Sequence, residues 1–78
     1  MLKAAIKKEL SLLQKEEKQL LRNRQHFDKL ANNRKQSQAV RDIAEYSWRE
    51  IEIALLKNRE AQANLNRRLK SINTRLIV

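Results

Sequence analysis

His26 is the chain's one imidazole, and there is no cysteine for it to activate. A histidine pair or a thiolate set able to hold a metal is therefore excluded. Glu45, Glu50 and Glu52 lie close in sequence, but acids near Arg41 and Arg49 on a helix serve first as ion-pair partners. Without Gly, no phosphate-cradling loop can form. This inventory argues against catalysis, so the expectation is a protein that is not an enzyme, with no catalytic residue, metal ligand or cofactor site.

The chemistry these residues do favour is attraction of anions. Eighteen Lys and Arg stand against nine Asp and Glu, a formal charge of +9. The excess is uneven along the chain. Residues 18–41 hold seven bases (Lys18, Arg22, Arg24, Lys29, Arg34, Lys35, Arg41) against Asp28 alone, a net of +6. Residues 42–60 hold three bases and five acids, a net of −2. The last segment, 61–78, carries Arg67, Arg68, Lys70 and Arg75 with no acid, a net of +4. Positive clusters of this size suit a phosphate backbone. Arg22, Arg34, Lys35, Arg41, Arg67, Arg68 and Lys70 are the candidate nucleic-acid contacts. No aromatic residue is interleaved with them, so recognition should follow shape and backbone, with little stacking on bases. The bland alternative is a solvated basic surface that keeps the protein soluble.

The elements that position these cations are helical. There is no Gly and no Pro, so tight hairpin turns between strands are disfavoured, and Ala, Leu, Lys, Arg, Glu and Gln favour helix. From Ala44 the residues Ala44, Trp48, Ile51, Leu55, Asn58, Gln62, Leu65, Leu69, Ile72 and Leu76 alternate steps of four and three. That is a coiled-coil seam, polar only at Asn58 and Gln62. The first half carries its own stripe of Ile6, Leu10, Leu13, Glu17, Leu20, Arg24, Phe27 and Ala31. The expected helix-packing residues are Ile6, Leu10, Leu13, Leu20, Phe27, Trp48, Ile51, Leu55, Leu65, Leu69, Ile72 and Leu76.

These patterns predict an all-α fold: an antiparallel helical hairpin in one domain, 1–78. A helix over about 2–32 leads to a turn within 32–42, and a second helix runs over about 42–76. Asn32 and Asn33 stand where a left-handed helix ending would need Gly, and Asp42 with Glu45 has the spacing of a capping box. A frame in which paired positions sum to about 75 sets Phe27 against Trp48, Leu20 against Leu55 and Leu10 against Leu65. It also sets Glu17 against Asn58, and brings Arg24 within reach of Glu50 or Glu52. One continuous helix is the competing arrangement, since no strict breaker forbids it.

Apolar residues off the seam, among them Leu12, Leu30, Val40, Ile43 and Ile53, predict self-association into a dimer with a four-helix bundle. In outline such a chain resembles small plasmid or phage regulators that grip RNA or DNA. It also resembles stalk and chaperone subunits of bacterial export machines. Two functions follow. The first is a basic, self-associating hairpin binding nucleic acid in a regulatory or accessory role. The second is a protein–protein adaptor, such as a secretion chaperone, an assembly stalk or an inhibitor of a larger machine, engaging a helical partner through its seam. A membrane-surface role for residues 1–18 is disfavoured by Glu9, Glu16 and Glu17. No apolar run reaches membrane length, and Lys7, Lys8 and Glu9 interrupt the core a secretion signal needs, so a cytoplasmic location is expected.

Overall fold

In the computed structural model the chain is an all-helical hairpin. Helix α1 spans Leu2–Ala31 (30 residues) and α2 spans Gln38–Ile77 (40 residues), packed side by side. The structure describes residues 2–77 and their side chains up to Asn73. Leu76 of the expected seam and Arg75 lie outside the described side chains. The molecule measures 62 × 15 × 12 Å, so α2, about 60 Å long at 1.5 Å per residue, sets its length.

The turn is tighter than the sequence suggested. Helix α1 does not end in a left-handed residue, because no described residue has positive φ. The Asn33 amide instead donates to the Leu30 carbonyl at 3.3 Å, tightening the last turn. The Asn32 side chain also donates to the Asp28 carbonyl, at 2.9 Å. Asn33 then shapes the loop, its Oδ1 accepting from the Lys35 amide at 3.0 Å. Helix α2 begins at Gln38, four residues before the position expected from Asp42 and Glu45. The reason is Ser37, whose Oγ accepts from the Val40 amide at 3.3 Å and whose carbonyl accepts from the Arg41 amide. With that cap in place, Asp42 already lies inside the helix and accepts from the Gln38 side chain at 2.8 Å.

The seam runs the length of the hairpin. Ile6, Leu10, Ala44 and Leu55 are fully buried, Leu55 at 1% exposure. Leu13, Leu20, Phe27, Trp48, Ile51, Leu65, Leu69 and Ile72 are half-buried along the same line. Trp48 lines an open groove of about 420 Å³ with Leu21, Arg24, Gln25 and Asp28.

One polar layer interrupts the apolar contacts. Asn58 is 3% exposed, and its amide donates to the Leu13 carbonyl of α1 at 2.9 Å. Its Oδ1 accepts from Gln62 at 2.6 Å, and Gln62 also donates to Glu17 at 3.4 Å. Asn58 thus reaches α1 one turn before Glu17, while Glu17 meets Arg59 and Gln62.

Leu55→Ala should lower the unfolding free energy by about 2–5 kcal/mol in urea titration, since it empties the most enclosed site on the seam. Asn58→Leu should do the reverse, raising Tm by several degrees, because an apolar side chain replaces a buried amide. It should also relax the alignment of the helices. Disulfide trapping of a Leu10→Cys, Leu65→Cys pair would then become less selective against neighbouring positions.

Candidate nucleic-acid interface

The hairpin distributes the seven nominated cations over its surface. Arg22 is exposed on α1. Arg34 and Lys35 are exposed in the turn, with Arg41 close by in the first residues of α2. Arg41 is half-buried, with Nη2 donating to Gln38 at 2.6 Å and a buried Nε that has no partner. Arg67, Arg68 and Lys70 are exposed toward the end of α2, where Arg67 bonds to Asn64. Arg34 and Arg67 are therefore held about 45 Å apart by the rise of α2. The turn cluster and the terminal cluster cannot act on the same few phosphates.

Two ion pairs across the helices and one along α2 engage three of the acids. Arg24, on the seam of α1, reaches Glu52 at 2.5 Å, with both side chains about one-third exposed. Arg59 reaches back to Glu17 at 3.0 Å, and Arg49 pairs with Glu45 along α2 at 2.7 Å. Hydrogen bonds from Arg59 and then Gln62 hold the Glu17 carboxyl below its ordinary value of 4.5, with partial desolvation pulling the other way. Glu16 accepts from Asn58 at 3.4 Å. Two of the four acids of α1 thus turn toward α2.

The outer face of α1 carries a pattern that a charge count by segments misses. Lys8, Lys15, Arg22 and Lys29 recur every seventh residue, each two places after a seam residue: Ile6, Leu13, Leu20 and Phe27. Two residues on a helix turn the side chain about 200° away, so this column runs parallel to the seam and opposite to it. All four are exposed, as is Lys18 beside them. The signal is present in the spacing, but charge counted by segment conceals charge sorted by face.

The outer face of α2 differs. Ile43, Tyr46, Ile53 and Leu56 are each at least half exposed, interspersed with Asp42, Arg49, Glu50 and Lys57. His26 lies exposed with its ring edge-on to Phe27, 5.3 Å between centroids. Among the described residues no group of three His, Cys, Asp or Glu is placed to hold a metal ion. No helix among them is long and apolar enough to cross a membrane.

Comparison with known protein families, with characterised proteins and with solved structures finds no match to this chain.

The Glu17 contacts have a pH signature. Its folded-state pKa is lowered, so its contribution is present above about pH 4.5 and is lost as pH falls through the folded value. Glu17→Gln should therefore show a shallower loss of Tm below pH 4.5 than the parent protein, while differing little in slope near neutrality.

Proposed function

We propose that this protein is a non-enzymatic, self-associating helical hairpin that binds nucleic acid largely through phosphate contacts, in a regulatory or accessory role. The observation that carries this reading is the sorting of bases into paired and unpaired sets among the described residues. Carboxylates at Glu17, Glu45 and Glu52 are engaged by Arg59, Arg49 and Arg24, none of which is among the nominated contacts. Arg22, Arg34, Lys35, Arg67 and Arg68 meanwhile face solvent. A chain of net charge +9, with those three carboxylates engaged by arginines outside the nominated set, leaves the nominated cations to present an anion-attracting exterior.

Self-association is part of the same reading. Only four apolar side chains are fully buried among the described residues, a small core for a free-standing hairpin. The stripe of Ile43, Tyr46, Ile53 and Leu56 is the apolar surface a second copy would cover on forming a four-helix bundle. A cytoplasmic setting suits a nucleic-acid ligand.

That stripe also favours a second reading, in which the protein is an adaptor for the helices of another protein. The two readings differ in their response to salt. On the first, affinity for a DNA or RNA duplex falls about 10³–10⁵-fold between 50 and 200 mM salt if roughly 6–10 phosphates are contacted. Absence of duplex binding at 50 mM salt would end it. A stoichiometric protein partner that stays bound in high salt would support the adaptor.

A further inference from the structure

We propose that the binding surface is the outer ridge of α1, formed by Lys8, Lys15, Lys18, Arg22 and Lys29, and that its ligand is double-stranded nucleic acid held along its phosphates. This inference rests on the nucleic-acid reading above and specifies both its surface and its substrate class.

Four observations support it. First, the ridge is built in register with the fold. Because Lys8, Lys15, Arg22 and Lys29 share the seven-residue repeat of Ile6, Leu13, Leu20 and Phe27, packing of the seam points each of them away from α2. Second, none of the five has a carboxylate three or four residues before or after it. Those are the helix-surface neighbours that would neutralise it. Lys15, Lys18 and Arg22 instead neighbour one another, an arrangement that costs the free helix stability and gains nothing in packing. On α2, by contrast, Arg49 has its acid four residues away at Glu45.

Third, the ridge is straight and long. From Lys8 to Lys29 it extends about 32 Å at 1.5 Å per residue, close to the ~34 Å of one turn of duplex. A linear row of cations over that distance matches a linear polyanion better than a compact anionic ligand, which the turn cluster alone would serve. Fourth, the ridge lacks what the alternatives need. Its flanks are Ser11, Leu12, Gln19, Gln25 and His26, where one imidazole and one exposed leucine make no row of aromatic platforms for unstacked bases. It has no broad apolar face to sink into a lipid surface either.

The ridge and the two end clusters make different predictions about which charges set the salt dependence. Fluorescence anisotropy with a labelled duplex of about 25 base pairs, as DNA and as RNA, separates them. The probes are completed by a single strand of the same length and by phosphatidylglycerol vesicles. In Lys15→Gln, Lys18→Gln, Arg22→Gln, the slope of log affinity against log salt should become shallower by about 2–3, at roughly 0.9 for each phosphate no longer neutralised. Helicity by circular dichroism should be retained, since the changes remove like-charge neighbours. Lys15→Arg with Lys18→Arg should keep the parent slope.

Removing three charges at the ends, with Arg34→Gln, Lys35→Gln, Arg67→Gln, should flatten the slope less than the ridge triple does. The proposal is overturned if the ridge triple keeps the parent slope, if the end triple flattens it more, or if single strands or vesicles bind better than either duplex. Binding of the parent protein to DNA and RNA duplexes alike would assign the contact to the phosphate backbone, and preference for one would add shape to it. Should the parent bind neither duplex at low salt, the broader nucleic-acid reading fails together with the ridge. Duplex binding that is indifferent to the ridge sinks the ridge alone.

Discussion

Every surface of this molecule is oriented by one contact line, the antiparallel seam between α1 and α2. Its apolar members repeat every three or four residues, so they fall on one side of each helix and meet along the whole length. Apolar residues alone would tolerate sliding by a heptad, because Leu against Leu is much the same one step away. The layer of Asn58, Gln62, Glu17 and Arg59 removes that freedom. Shifted by one heptad, Asn58 would find an equivalent backbone carbonyl at Ile6 or Leu20, but Gln62 and Arg59 would face Leu10 or Arg24 in place of the Glu17 carboxylate. Burial of an amide lowers stability relative to a leucine, and what it supplies is alignment.

Alignment of the seam decides the character of the outer faces. Each helix has only one side left to water, and the two sides are chemically unlike. That of α1 is a row of cations with mainly polar flanks, broken by exposed Leu2 and Leu12. That of α2 mixes exposed Ile43, Tyr46, Ile53 and Leu56 with charges of both signs. A surface that repels itself and a surface that can associate are thereby set back to back, about a helix-pair width apart. In the function proposed, association through α2 and anion binding through α1 would not compete for the same residues.

Much of the fold is legible in the residues themselves. The heptad spacing identifies the two helices and the packed side of each, and the frame summing to about 75 anticipates the reach of Arg24 to Glu52. The turn reads less accurately, for a physical reason. Asp42 and Glu45 have the spacing of a capping box, but so do many acids inside helices. The competing cap, Ser37, is followed by Gln38, Ala39 and Val40 with no acid at its third position, so only the Oγ-to-amide geometry reveals it. The end of α1 misleads likewise, because Asn residues can stop a helix either by adopting left-handed φ or by bonding to carbonyls, and their identity does not distinguish the two. The candidate surface is half legible. Clusters at the turn and near the end of α2 follow from a charge count along the chain, whereas the α1 ridge emerges only when charge is sorted by helical face.

The turn between Ala31 and Gln38 has a consequence for how copies of the chain can pair. It is held by side-chain bonds from Asn32, Asn33 and Ser37, with no Gly, no Pro and no residue at positive φ. Nothing in 32–37 therefore opposes straightening into a rod strongly, and a straightened rod can recover each seam contact from a neighbour lying antiparallel to it. Such an exchanged pair conserves the Asn58 layer twice over and replaces two loops with two stretches of helix. The closed form then holds its advantage through dilution, because a chain's own second half is always nearer than another's. Were copies crowded together, that advantage would shrink, and the loop is where one molecule would open into half of a pair.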